Sequence, residues 1–135
     1  MIFKKRISQD LIDNNDHLNI SNYIKLADNS NSKMLKILKK KNYYFVAKKI
    51  LMENNKEILL NNVCTIKSFL VAIDDYSIVS RHDFFTNKNK IQNAKCYMLQ
   101  ISIQKKNKRI MKINHNDKNY LKKFLKKNYI NPFKL

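Results

Sequence analysis

None of the 135 positions in this chain is glycine. Every tight turn that needs a positive φ must therefore be built by the next most tolerant residues, Asn and Asp, at some conformational cost. The same absence excludes several enzyme classes in their usual form. A phosphate-cradling loop, a dinucleotide fingerprint and a strained serine elbow all depend on glycine at fixed spacing. Turn material is still present: Asp10 to His17, Asp74–Asp75, Asn87 to Lys90 and Lys105 to Lys108 are polar clusters between apolar runs. The one proline, Pro132, stands near the C-terminus, and no Pro- or Ser-rich linker or internal repeat divides the chain. The length suits one core, so a single domain over residues 1–135 is expected.

Hydrophobic periodicity changes along the chain. Phe3 to Gln9 predicts a first strand. From about Asn19 to Lys40, Ile20, Ile24, Ala27, Met34, Leu35 and Leu38 recur at helical spacing, with Asn19 or Ser21 available as N-cap. The middle of this segment, Asp28 to Ser32, is poor in helix formers, so packing would have to hold it. Beyond Tyr43 the period becomes two: Val46 to Met52, Ile58 to Ile73, Tyr76 to Phe85 and Ala94 to Gln104 predict strands. In the last, Tyr97, Leu99, Ile101 and Ile103 share one face, while Gln100, Ser102 and Gln104 share the other, which predicts one wet side. Arg109 to Ile113 predicts a short edge strand, and Asp117 to Asn128 a terminal helix. A long early helix covering an antiparallel sheet gives an α+β fold.

Charge needs care. The formal net charge is +18, which suggests a phosphate-binding surface. Yet the positive residues are 25 Lys and only 3 Arg, accompanied by 20 Asn and 17 Ile, all types with A- and T-rich codons. Nucleic-acid recognition favours the arginine fork, so compositional drift explains the lysines better than a nucleic-acid partner does. Cys64 and Cys96 lie in alternating apolar segments and read as buried free thiols; no metal site or cofactor is expected. No apolar run reaches membrane-spanning length, and MIFKKRISQD lacks the apolar stretch of a signal peptide, so the cytoplasm is the expected location.

One segment carries more than pattern. Asp13, Asn15, His17 and Asn19, followed by Tyr23, stand at the spacings of a known signature. The segment resembles that of hotdog-fold acyl-CoA thioesterases of the 4-hydroxybenzoyl-CoA thioesterase type, and also that of acyl-ACP thioesterases. The resemblance implies a hotdog fold, an antiparallel sheet wrapped around one long central helix, here with a C-terminal helix added. It also implies hydrolysis of an acyl-CoA, of short chain on the closest pattern, at a site shared between two subunits of a homodimer or homotetramer. The family's usual glycine before the motif histidine is Asp16 here, which adds a negative charge three residues from Asp13; pointing inward, it would raise the Asp13 pKa.

Thioester hydrolysis needs an attacking water or carboxylate and a place for the charge that develops on the carbonyl oxygen. On the resemblance, Asp13 supplies the carboxylate, as general base or as nucleophile, with His17 and Asn19 as further catalytic candidates. Asn15, Asn22 and Tyr23 are substrate-binding candidates. The amides near Asn22 and Tyr23, at the positive end of the helix, are expected to be free for the carbonyl oxygen. Each residue also has a plainer reading: Asp13 as a turn cap, Asn19 as a helix cap, Tyr23 as core, His17 bonded to turn backbone. Arg81-His82-Asp83 is not a triad, because strand alternation sends His82 to the opposite face from the other two. Two other readings stay open: a hotdog protein that binds acyl groups or assembles without catalysis, and a basic nucleic-acid-binding module.

Overall fold

A computed structural model of the chain describes residues 1–134; Leu135, the last residue of the expected unit, lies outside the described residues. Five strands form one antiparallel sheet: β1 (Ile2–Arg6), β2 (Tyr43–Asn54), β3 (Val63–Ile73), β4 (Ser77–Thr86) and β5 (Ile91–Gln104). Their order across the sheet is β1-β3-β4-β5-β2, so β1 and β2 are its edges. The long helix α1 (Ile20–Met34) packs against β3, β4 and β5, and a short helix α2 (His115–Leu121) follows the sheet.

The boundaries differ from the periodicity where side chains override it. Helix α1 stops at Met34; Leu35 leaves helical geometry and Lys36–Lys40 tightens into a 3-10 turn. The strand expected from Ile58 begins only at Val63, because the preceding residues turn: the Asn62 side-chain oxygen accepts the Leu59 amide at 2.9 Å, and Asn61 sits at φ 69°. Arg109 to Ile113 makes a single bridge, Ile110 with Ile103, rather than a strand. The terminal helix is shorter than expected, ending in a 3-10 turn at Lys122–Phe124. Positive φ falls at Asp16, Asn61, Asn87, Lys88, Asn89 and Lys108. Four of these six are Asn or Asp, the substitution for glycine that the composition forces.

Under α1 the core has two apolar halves with a polar belt between them. Tyr23, Leu26 and Ala27 meet Ile66, Phe84, Cys96 and Met98 on one side; Met34, Leu35 and Leu38 meet Leu70, Ile78 and Leu121 on the other. Both cysteines are buried free thiols, and burial pushes each up to about 12. The belt is a chain of side chains. Ser30 and Ser68 hydroxyls lie 2.6 Å apart, Ser68 Oγ is 2.6 Å from His82 Nδ1, and His82 Nε2 is 3.0 Å from Ser80 Oγ. Gln100 donates to Ser80 at 3.1 Å, then exchanges two amide bonds with Asn31, at 2.9 and 3.2 Å. Thus α1 is tied to three strands at the residues with weakest helix propensity, since Ser30 and Asn31 each gain a buried partner.

This belt corrects the reading of β5. Gln100 and Ser102 do not face water; they lie buried beneath the helix side of the sheet, where the belt satisfies Gln100. The opposite face, expected to be the core, is the sheet's outer face and is covered by the C-terminal tail. Lys126 donates its backbone amide to the Leu70 carbonyl at 2.9 Å, Tyr129 tilts over Phe69, and Phe133 packs on the Phe69, Val71, Val79 and Tyr97 cluster. Arg81 sits on this face in a two-point pair with Asp83, at 2.7 and 3.2 Å, while its neighbour His82 points inward, as alternation requires.

Candidate functional site

The segment ahead of α1 is a knuckle fixed by its own backbone. Asp13 donates its amide to the His17 carbonyl at 2.8 Å, Ile12 bridges Leu18, and Asp16 donates to the Asp13 carbonyl at 3.2 Å. Asp16 takes φ 61°, the left-handed conformation that glycine adopts freely. The knuckle is stapled to the turn before β3: the Asp16 carbonyl accepts Leu60 N at 3.0 Å, and the Ile58 carbonyl accepts Leu18 N at 2.8 Å.

Within this frame the Asp13 carboxylate is exposed, and one oxygen is spoken for. Oδ1 accepts the amides of Asn15 at 2.9 Å and of His17 at 3.1 Å. Those two amides, with a smaller contribution from the His17 charge, hold its pKa below the ordinary 3.8. The condition under which Asp16 would raise it, an inward-pointing charge, is not met: Asp16 is exposed, and the two fixed donors to the ionised form lower the pKa. Among the described residues Oδ2 has no hydrogen-bond partner, so one oxygen is free, and the lowered pKa leaves the carboxylate ionised near neutral pH.

The other signature residues divide. Asn15 remains on the exposed loop, contributing its amide to Asp13. His17 Nε2 lies 3.0 Å from the Glu57 carboxylate, a partner 40 positions away that no local pattern in the sequence announced. Asn19 caps α1: its side-chain oxygen accepts the Asn22 amide at 3.0 Å and the Ser21 hydroxyl at 2.7 Å. Asn22 in turn donates its side-chain amide to the Leu11 carbonyl at 3.0 Å, locking the helix start to the knuckle. Tyr23 is only 1% exposed, its ring edge-on to Phe84 and its hydroxyl 3.4 Å from Asn54; burial pushes its pKa up to about 12. It belongs to the core. The amides of Asn22 and Tyr23, expected to be free, are both taken by Asn19, its cap and its carbonyl. Among the described residues the unpaired amides of this helix start are those of Ile20 and Ser21.

A cleft of about 240 Å³ opens at the other end of α1, between its second half, the following 3-10 turn and β2. Leu35, Leu38, Phe45 and Ala47 make its apolar wall, with Asn31 and Gln100 of the polar belt at the base. The sequence marked none of these as site residues. Among the described residues there is no cluster of His, Cys, Asp and Glu that could hold a metal ion, and no helix is long and apolar enough to cross a membrane.

Solved structures share this arrangement over almost the whole chain. YbaW, a probable thioesterase from Escherichia coli, superimposes with a TM-score of 0.81 at 16% identity, covering 93% of this chain and 99% of its own. The chain adopts the hotdog fold. Another hotdog neighbour, the gentisyl-coenzyme A thioesterase BH1999, has a TM-score of 0.77 at 14% identity, covering 90% of this chain and 99% of its own. SAV2348 from Staphylococcus aureus, a hypothetical protein solved in complex with CoA, has a TM-score of 0.80 at 13% identity over 97% of this chain and 89% of its own. No family model matches the sequence, and no curated protein does. The fold expected from the signature is thus the fold found, and YbaW and BH1999 are both named as thioesterases, the first as a probable one.

Proposed function

We propose that the protein is an acyl-CoA thioesterase that releases a free acid and CoA, with Asp13 as its reacting carboxylate. The observation that carries this reading is the half-occupied state of Asp13: two backbone amides fix one oxygen and keep the group ionised, while the other oxygen faces outward beside the start of a capped helix. That is the form required of a general base or nucleophile. Where water attacks the thioester carbon, Asp13 takes its proton and returns it to the sulfur as the C–S bond breaks. Where the carboxylate attacks, the C–S bond breaks to give a mixed anhydride and the CoA thiolate. Water then cleaves the anhydride, regenerating Asp13, releasing the acid and supplying the thiol's proton. The charge on the carbonyl oxygen would fall to the Ile20 and Ser21 amides at the positive end of α1. His17, held by Glu57 through Nε2, keeps Nδ1 for orientation or proton transfer, and Asn19 and Asn22 hold the knuckle against the helix. Asn15 is placed on the exposed rim, and Tyr23 supports from the core rather than by contact.

The same reading calls for two chains. Asp13 lies before α1, whereas the apolar cleft lies beside its far half; twelve residues of helix from Asn19 to Asn31 set them roughly 18 Å apart. One chain cannot join the carboxylate to the cleft. A two-fold partner with an antiparallel helix would bring its own Asp13 toward this cleft. β2 is the edge suited to that contact: it runs for 12 residues and exposes Tyr44, Val46, Ile50 and Leu51. The test is thiol release from a panel of short acyl-CoA esters, together with sedimentation. No thiol release from any ester would sink the enzymatic reading and leave a non-catalytic hotdog protein; a fully active monomer would sink the shared site.

A further inference from the structure

The base of the cleft is polar and its hydrogen-bonding capacity is not used up. Asn31 and Gln100 are 5% and 3% exposed, so neither is hydrated as a surface amide would be. Gln100 spends both N–H groups, one on Asn31 Oδ1 and one on Ser80. Asn31 spends one N–H on Gln100 Oε1. By the donor and acceptor inventory of two amides, one Asn31 N–H and one lone pair on each amide oxygen remain. Two residues further along the same face of β5 lies Ser102, opposite Phe45 of the cleft wall; it is fully buried, and its hydroxyl has no partner among the described residues.

We infer that Asn31 and Gln100 make the cleft selective for a short acyl group bearing a hydroxyl, because a hydroxyl both donates and accepts and matches the capacity left at the base. This rests on the thioesterase reading above. A plain hydrocarbon end would exclude water from the amides without replacing its bonds, and a site built to bond a hydroxyl discriminates strongly against the analogue lacking it. Beside the neutral amides of Asn31 and Gln100, the cleft is also lined by the charged residues Asp28, Lys39 and Lys105. The apolar wall of Leu35, Leu38, Phe45 and Ala47 takes the carbon chain, and the size of the cleft keeps it short.

The test compares kcat/KM for β-hydroxybutyryl-CoA and butyryl-CoA, which have equal chain length, on the full protein. The hydroxylated ester should be favoured by about tenfold or more, the scale of one hydrogen bond gained in a buried site. In the double variant Asn31→Leu/Gln100→Met both amide partners become apolar together, which avoids stranding one of them, and the ratio should fall to about one. If butyryl-CoA is hydrolysed as well as the hydroxylated ester by the unaltered protein, hydroxyl selection is wrong while the thioesterase reading stands. A preference that persists in the folded double variant would overturn the assignment to Asn31 and Gln100. Where that variant fails to fold, the unaltered protein's ratio decides alone. Release of thiol from neither ester nor any other acyl-CoA would overturn the enzymatic reading, and this inference with it.

Discussion

Two polar constellations flank α1, and they are built on opposite principles. The knuckle around Asp13 is exposed, bonded largely through backbone, and leaves an ionised oxygen unpartnered. The belt through His82 is buried, bonded through side chains, and neutral: burial lowers the His82 pKa to about 3, so the ring holds no charge near neutral pH. The knuckle fixes one oxygen of an exposed carboxylate, the group proposed above to react, and leaves the other open to solvent. In the belt each partner satisfies the next, which fixes how the helix sits on the sheet. A buried polar network is costly unless satisfied, and a reactive carboxylate is useless if fully satisfied. The difference therefore sets an exposed, locally bonded carboxylate apart from a buried network that spans the fold.

The separation can be broken first at Asp13. Asp13→Asn keeps volume and the acceptor for the Asn15 and His17 amides, but removes the ionised oxygen. Turnover of every accepted acyl-CoA should fall about a hundredfold or more, with a much smaller change in substrate binding and little change in melting temperature. Unchanged turnover in the folded variant would reduce Asp13 to a turn residue. His82→Leu should do the reverse. It removes one hydrogen-bond partner from each of the Ser68 and Ser80 hydroxyls, which keep Ser30 and Gln100, and should cost about 1–2 kcal/mol in urea unfolding, while turnover per folded molecule stays within a few-fold. A large loss of turnover with intact stability would place His82 in the chemistry instead.

A pH titration sharpens the same contrast. His82 binds its proton in the unfolded chain near pH 6.5 but in the folded chain only near 3, so the unfolded state binds more protons in between. Its contribution is fully present above about pH 6.5 and is lost as pH falls toward 3. The slope should reach about 1.4 kcal/mol per pH unit, and it should be missing from His82→Leu when the two proteins are compared. Asp13 behaves differently. Its lowered pKa predicts that kcat/KM keeps the ionised base down to below pH 4 in a protein that still folds there. An acid limb near pH 6 assigned to this carboxylate would contradict the two-amide arrangement.

How much of this was legible follows from how far apart the partners stand. The bonds of the Asp13 and Asn19 side chains link residues two to four positions apart. They fall within the short segment that the resemblance of Asp13, Asn15, His17 and Asn19 to the thioesterase signature marked, whereas the knuckle's staples to Ile58 and Leu60 were not visible. The strands were visible because alternation is local too. The belt was not: Ser30, Ser68, Ser80, His82, Gln100 and Asn31 are joined across as many as 69 positions, and each alone reads as an ordinary solvated residue. The same distance hid Glu57 from His17 and led to Gln100 and Ser102 being placed in water. The failed expectation at Asn22 and Tyr23 had another cause. Counting the unpaired amides of a helix start overlooked that Asn19 could pair one with its side chain and another with its carbonyl.

The smallest effect tests the one position where the knuckle departs from the thioesterase signature it resembles. Asp16 holds φ 61° with a β-carbon, a cost that aspartate bears better than most residues but glycine does not bear at all. Both bonds the residue makes there, its amide to the Asp13 carbonyl and its carbonyl to the Leu60 amide, are backbone and survive replacement. Asp16→Gly therefore removes strain in the folded state but adds freedom to the unfolded chain, and the two nearly cancel, leaving a gain of about 0.5 kcal/mol or less. The Asp13 pKa is set mainly by the Asn15 and His17 amides, so losing the neighbouring charge should leave kcat/KM equal or raised by no more than about twofold. Asp16→Val supplies the opposite arm. A β-branched residue is a true outlier at positive φ, so the knuckle should open, with a cost of about 1–2 kcal/mol and a fall in turnover as the amides leave Asp13. Equal activity in the glycine and valine variants would mean that the geometry of this loop does not govern the carboxylate, and the reading of Asp13 as a backbone-positioned base would have to be abandoned.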